Sequence, residues 1–276
     1  MAMSIRTNIS SLNAQRNLYS TQTSMDSSLS RLSSGFRITK AGDDAAGLGI
    51  SSKLESQIRS YSQAVRNAND GMSVIQSTEA ALNEQANVLT RLRELAMQSA
   101  SDGVGNSERA YIQKESTALV AELERISQVA EYNGTKLLNG VSATLDFQVG
   151  IYSTTNDAIT FTTLNATTGA SGLNVSGMSL ASKASALSAL ASLDTALATV
   201  SDARATLGAN GNRFQSAVAN IQSFSESLSA ANSRIKDVDV AEETSRMSRS
   251  QILLQAGVSV LAQANQMPQM ALKLLG

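Results

Sequence analysis

The 276-residue chain contains no cysteine, no histidine, no tryptophan and a single proline, Pro268. Without His or Cys there is no imidazole acid or base near neutral pH, no thiolate nucleophile, no Ser-His-Asp triad and no ordinary zinc site. Disulfides are impossible, so the redox state of the compartment has no bearing on the fold. Large apolar residues are also scarce. Leu, Ile, Val and Phe together make up roughly 23 % of the chain, only a little above the range in which chains fail to bury a core. No unbroken run approaches the roughly 18 apolar residues that span a bilayer, and the N-terminus lacks the apolar stretch and cleavage site of a secretory signal. Five basic residues (Arg6, Arg16, Arg31, Arg37, Lys40) against Asp26 give the first forty positions a modest positive balance, too dilute for a nucleic-acid footprint. These absences predict no enzyme, no metal or other cofactor, no nucleic acid and no membrane.

What the chain does contain is alanine, serine and a persistent helical period. Leu54, Ile58, Tyr61, Val65, Ala68, Met72 and Ile75 step alternately by four and three, and Leu82, Ala86, Leu89 and Ala96 continue the stripe. That spacing keeps one seam turned toward a partner helix, so one long helix is expected from about 45 to 99. A second helix is expected from Ser107, read as its N-cap, through Ile112, Leu119, Leu123 and Ile126 to the turn signals Asn133-Gly134 and Asn139-Gly140. The period then falls to two: Leu145, Phe147 and Val149, then Ile159 and Phe161, alternate with polar residues, which predicts a β-hairpin at about 141–164. A Thr/Ser/Gly-rich loop follows at about 165–180. Helical patterning returns through Leu193, Leu197 and Leu207, softens at Gly208 and Gly211, and sharpens into Phe214, Ile221, Leu228 and Ile235.

Both ends carry thinner stripes: Ile5, Leu12 and Tyr19, with Leu18, Met25, Leu29 and Leu32, at the start, and Val240, Met247, Leu254 and Leu261 at the finish. Helices of this kind draw most of their stability from burying an apolar face. Neither end has the bulk to stand alone. Pairing of the two ends, followed by burial against further copies, predicts a polymer subunit. The expected fold is mainly α, with long antiparallel helices in a coiled-coil rod and one small β-hairpin. Its expected core comprises Leu54, Ile58, Val65, Ile75, Leu82, Leu89, Phe214, Ile221, Leu228 and Ile235, and its expected terminal packing comprises Ile5, Leu12, Leu32, Leu254 and Leu261.

The run Arg31-Leu-Ser-Ser-Gly-Phe-Arg-Ile-Thr-Lys-Ala-Gly-Asp-Asp-Ala-Ala-Gly-Leu-Gly-Ile-Ser51 resembles the N-terminal signature of bacterial flagellins. The likeness continues through Arg66-Asn-Ala-Asn-Asp-Gly71, Thr78-Glu-Ala-Ala-Leu-Asn-Glu84 and Arg91-Leu-Arg-Glu-Leu-Ala96, and resumes at Gly208-Ala-Asn-Gly-Asn-Arg213 and Leu261-Ala-Gln-Ala-Asn-Gln-Met-Pro-Gln269. The resemblance implies an inner layer, D0, formed by residues 1–43 and 237–276, and a surrounding layer, D1, formed by 44–236, with only about 165–180 where larger flagellins carry outer domains. It implies a flagellar filament protomer, exported unfolded by the flagellar type III apparatus and added at the distal tip outside the cell. The implied partners are further copies of the chain, a flagellar cap, hook-junction proteins and an export chaperone. A hook–filament junction protein or minor flagellin is the alternative. Arg91, Leu95 and Glu115 match positions through which many flagellins resemble ligands of the vertebrate Toll-like flagellin receptor. Residues 30–51 match the segment recognised by plant immune receptors, with two departures: Gly42 for the common Lys and Phe36 for the usual Leu.

Two motifs invite catalytic readings. Asp43-Asp44 pairs two carboxylates, but at a helix start such charges meet the positive end of the dipole. Gly42-x4-Gly47 opens like a phosphate loop, yet Leu48-Gly49 replace the required Lys-Ser/Thr; close packing is the expected role of these glycines.

Overall fold

The computed structural model describes residues 7–141 and 144–275, with side chains as far as Gln266. Five helices carry the fold: α1 (Ile9–Ser34), α2 (Ala45–Ala100), α3 (Asn106–Val129), α4 (Lys183–Lys236) and α5 (Val240–Leu275). Between α3 and α4 lie two small antiparallel pairs, β1 (Glu131–Tyr132) with β2 (Thr135–Lys136), and β3 (Thr144–Gln148) with β4 (Ala158–Thr162). The chain divides into two compact units, a terminal one of Met1–Ile58 with Glu226–Gly276 and a central one of Arg59–Ser225. These divisions fall inside α2 and α4, whereas the layers that the resemblance implies divide near 43 and 237.

In the central unit, α2 presents two adjacent heptad columns inward. Ala68, Ile75, Leu82, Leu89 and Ala96 form the column legible from apolar spacing. The second column, Ala64, Gly71, Thr78, Gln85, Leu92 and Ser99, is equally buried but largely small or polar. Its polar members find partners. Thr78 Oγ1 donates to Val74 O at 2.8 Å, Gln85 Nε2 to Ala166 O at 3.1 Å, and Ser99 Oγ to Leu180 O at 2.6 Å. Facing them, α4 contributes Ala186, Ala189, Leu193, Ala196, Val200, Leu207, Phe214 and Ile221. Helix α4 runs unbroken through Gly208 and Gly211 because Leu207 and Phe214 anchor it on either side. Averaged over 18 residues, α4 is apolar enough to cross a membrane by length and composition, although it contains no unbroken apolar run; its inward face serves this core.

Gly71 has a steric reason. A Cβ there would sit 2.6 Å from Phe214 Cζ and 3.1 Å from Phe147 Cγ. Phe147 and Phe214 meet edge to face with centroids 5.7 Å apart. The hairpin is thereby seated on both long helices, with Leu145 opposite Phe161 and Phe147 opposite Ile159. A shorter hairpin precedes it: Asn133 (φ 48°) and Gly134 (φ 79°) form the two-residue turn between β1 and β2, the left-handed pair that such turns require.

One expectation is corrected. The N-cap of helix α3 lies two residues earlier than expected, at Gly105 in an extended conformation and not at Ser107. Gly105 leaves room for the Glu108 carboxylate to fold back over it, and Arg109 closes the turn by donating to Ser99 O, Ser101 O and Asn106 Oδ1. The 165–180 segment is irregular, as its composition predicts, and it is packed inward. Ala166, Leu173, Val175 and Leu180 are buried in the core. Helix α3 grips the segment: Glu124 accepts from Thr168 N at 2.9 Å and Oγ1 at 2.7 Å, and Gln113 Oε1 accepts from Leu180 N at 2.5 Å.

Replacing Gly71 by Ala should therefore destabilise the central unit. Helix propensity favours Ala by about 1 kcal/mol, but overpacking costs about 1–3 kcal/mol. Urea unfolding should show a lower midpoint for Gly71→Ala, partly restored by adding Phe214→Leu. A Gly71→Ala chain more stable than the parent would contradict the packing described.

Candidate assembly and recognition surfaces

The terminal unit is built on α1 and α5, which pack against each other. Asn8 caps α1 by accepting from Ser11 N at 3.1 Å, and Gly35 ends it in a left-handed conformation with its N–H on Arg31 O. Asp239 starts α5 by accepting from Ala241 N and Glu242 N. The inward positions repeat every seven residues on both helices. On α1 they are Ser11, Ala14, Leu18, Thr21, Met25, Ser28 and Leu32; on α5 they are Glu243, Met247, Ser250, Leu254, Gly257, Leu261 and Ala264. A Cβ at Gly257 would lie 2.8 Å from Leu18 Cδ1, so the helices approach closely there. At the far end Asn8 Nδ2 donates to Ala264 O and Ser11 Oγ to Asn265 Oδ1, both at 2.9 Å.

This seam is thin, because small or polar side chains fill most of its layers. Much of the apolar bulk points away from it. Leu12 is 51 % exposed and Tyr19 77 %, and Ile9 and Leu29 on α1, with Ile252, Leu253, Val258 and Val260 on α5, are exposed as well. Of the expected terminal packing residues, Leu32, Leu254 and Leu261 are half-buried in the seam, Leu12 lies on the outer face, and Ile5 lies outside the described residues. Leu54, Ile58, Leu228 and Ile235 also fall in the terminal unit and are half-buried. The other expected core residues are in the central unit: Ile75, Leu82, Leu89, Phe214 and Ile221 are buried, and Val65 packs against them.

A second surface lies on α2 and α3. Arg91 Nη2 and Nε donate to Glu115 Oε1 at 2.9 and 3.1 Å, and Nη1 donates to Glu94 Oε2 at 2.9 Å. The two carboxylates, Glu94 foremost, raise the affinity of Arg91 for its proton. Leu95 is only 2 % exposed, so it supports this face from behind while Arg91 and Glu115 are its accessible members. Exposed pairs of this type contribute little to stability, typically below about 1 kcal/mol.

The Asp43-Asp44 pair is divided between a turn and a helix cap. Asp44 Oδ1 accepts from Gly47 N at 2.8 Å and caps α2. Gly47 is required beside it, since a Cβ would meet Asp44 Oδ2 at 2.4 Å and Ile38 Cδ1 at 2.8 Å. Asp43 accepts from Thr39 N, Thr39 Oγ1 and Lys40 N, each at 3.0 Å. The Thr39 and Lys40 backbone donors lead in holding its carboxyl below the ordinary value. Among the described residues no three His, Cys, Asp or Glu side chains gather as a metal site.

Helices that pair their two ends through a thin seam, and keep apolar bulk on the outside, define a class of helical subunits that polymerise. Comparison with known proteins narrows the class. Residues 5–143 match the bacterial flagellin N-terminal helical region and residues 190–275 the bacterial flagellin C-terminal helical region. The flagellin of Halalkalibacterium halodurans is 40 % identical over 273 residues, covering 99 % of this chain and all of the relative. Flagellin FlaB2 of Treponema pallidum is 40 % identical over 287 residues, with the same coverage. Flagellin D of Vibrio cholerae is 35 % identical over 378 aligned positions against 276 residues here, so more than a hundred of its positions have no counterpart. The crystal structure of Bacillus cereus flagellin matches with a TM-score of 0.51 at 26 % identity, covering 56 % of this chain and 88 % of that one. A structure assigned to a flagellar hook-associated protein of Vibrio parahaemolyticus shares the fold (TM-score 0.60, 14 % identity, covering 71 % of this chain and all of that one).

The chain belongs to the bacterial flagellin family. It is a structural protomer of the flagellar filament and polymerises with copies of itself.

The Asp43 turn makes a pH-dependent prediction. A carboxyl whose folded-state affinity for protons is depressed stabilises the fold fully above its unfolded value and loses that contribution as pH falls through the folded value. The window therefore opens below the ordinary aspartate value of 3.8. Carboxyl titration by NMR should place Asp43 below that value, and Asp43→Asn should weaken the acid dependence of unfolding. A normal titration for Asp43 would contradict the assignment.

Proposed function

We propose that this flagellin keeps the core of its terminal unit incomplete until it joins a filament. Residues 1–43 and 237–276 form the inner D0 layer and 44–236 the D1 layer. The observation that carries this reading is the division of apolar side chains in the terminal unit. Small and polar residues fill much of the seam, while Leu12, Tyr19, Ile252 and Leu253 face outward. Ordering a residue costs about 1–2 kcal/mol of backbone entropy, and a thin seam offsets little of it. Burial of the outward residues against neighbouring copies supplies the remainder. Assembly and ordering of the ends are then one event, and loose ends prevent premature polymerisation and suit passage through a narrow export channel.

The reading is non-catalytic, with no cofactor. It places the mature subunit outside the cell, delivered by the flagellar type III apparatus, with an export chaperone, the cap and hook-junction proteins as its partners on the way. The Arg91–Glu115 face, backed by Leu95, is the surface proposed for a host Toll-like receptor, reached on free monomer.

Deletion of residues 1–40 or 240–276 tests the reading. The truncated chains should remain helical by circular dichroism, yet form no filaments by electron microscopy after addition of sulfate, which strengthens apolar burial, whereas the full chain should form long ones. Normal filaments from either truncation would sink the proposal.

A further inference from the structure

Between its polar ends, the α1–α5 seam repeats too regularly to specify its own register. Along α1 one column reads Ser11, Leu18, Met25, Leu32 and the other Ala14, Thr21, Ser28; along α5 they read Met247, Leu254, Leu261 and Glu243, Ser250, Gly257, Ala264. In the observed register Leu18 packs against Gly257, so the Leu/Met column of α1 faces the small or polar column of α5; sliding one helix past the other by seven residues again sets a large residue against a small or polar one. Heptad seams without a distinguishing layer are prone to such slippage, and a single specific polar contact commonly fixes them. Near the outer end, the hydrogen bonds of Asn8 and Ser11 to Ala264 and Asn265 join residues more than 250 positions apart. They form only when the helices have already met.

A register mark lies at the opposite end, where the α1–α2 and α4–α5 connections cross. Phe36 and Asp237 form an antiparallel bridge. Arg37 N donates to Lys236 O at 2.6 Å, Val238 N to Gly35 O at 3.0 Å, and Arg37 Nη2 to Ile235 O at 2.7 Å. The Lys236 ammonium is held twice: it lies 4.5 Å above the Phe36 ring and donates to Glu55 Oε1 at 2.5 Å. Its side chain is 21 % exposed and that of Glu55 34 %, which limits screening by solvent. The backbone bridge pairs these residues one to one, and the two contacts of the Lys236 ammonium hold it closed. Only Gly35 separates it from α1, and only Asp239 separates Val238 from α5.

Resting on the reading that the terminal helices order on assembly, we infer that the Phe36–Lys236–Glu55 clasp seeds the pairing of α1 with α5 and sets its register. Once the clasp is closed, the first seam layer, Leu32 with Glu243, is in place without further loop closure. Each later layer adds seven residues to an aligned pair. With the clasp open, the helices meet at a distance along the chain and in several registers of similar burial.

Because the chain has no cysteine, paired cysteines report the register directly. Ser11→Cys with Asn265→Cys reads the observed register, and Ser11→Cys with Val258→Cys reads the register slipped by one heptad. Both pairs are placed in the full-length chain, with and without Lys236→Met, which keeps an apolar stem and removes the charge; Glu55→Gln serves as a second, milder variant. Oxidative crosslinking should favour the observed register by at least about tenfold when the clasp is intact. In Lys236→Met that preference should collapse toward parity, or both crosslinks should fade together. A preference unchanged by Lys236→Met, or absent with Lys236 in place, overturns the inference. Filament formation is scored separately by electron microscopy, so loss of filaments with an intact crosslinking preference would count against the assembly reading and not against the clasp.

Discussion

The terminal helix pair is constrained by how little apolar surface its seam encloses. Leu18, Met25, Leu32, Met247, Leu254 and Leu261 are spaced by serine, threonine, alanine and glycine. Burying a full leucine is worth about 1.5–3 kcal/mol, whereas serine or glycine in the same layer adds almost nothing. Gly257 lets the backbones approach but leaves little to bury once they have done so. The pair is therefore marginal by itself, and the outward Leu12, Tyr19, Ile252 and Leu253 are the remaining reserve of apolar area. Much of the architecture follows from where that reserve points.

The central unit is built the opposite way, around a core of its own. It concentrates the large side chains of α2, α3 and α4 around a hairpin and a buried irregular segment. Several polar residues within the core have assigned work. Gln85 and Ser99 hold the backbone of the 165–180 segment, Glu124 and Gln113 grip it from α3, and Arg109 closes the α2–α3 turn. Unpaired, these groups would each cost about 1–3 kcal/mol. Paired, they let a Thr/Ser/Gly-rich stretch close a core, and such a stretch suffices in a flagellin shorter than the Vibrio cholerae relative by more than a hundred aligned positions.

Much of this was readable in advance where apolar spacing is strong. The α2 column through Ile75, Leu82 and Leu89, and the hairpin whose strands carry Leu145, Phe147, Ile159 and Phe161 on one face each, follow from periods of 3.5 and 2. Periodicity failed where burial falls on small or polar residues. Gly71, Thr78, Gln85 and Ser99 form a buried column that no hydropathy pattern marks, and Val175 and Leu180 sit in a stretch whose composition says loop. At the ends, Leu12 and Tyr19 look like a seam because they are large and seven apart, yet the helices meet through Leu18 and Met25. Spacing identifies a stripe but does not decide which of two stripes faces the partner. Leu95 shows the same limit in reverse: it belongs to the Arg91–Glu115 face by sequence and to the core by position.

The central claim is that the outward apolar residues of the terminal helices are buried by other copies of the chain. Hydroxyl-radical footprinting of Tyr19, 77 % exposed here, measures this most directly. Tyr19 should be modified rapidly in the soluble subunit and protected several-fold or more once filaments have formed. Equal modification in both states would contradict a core shared between subunits.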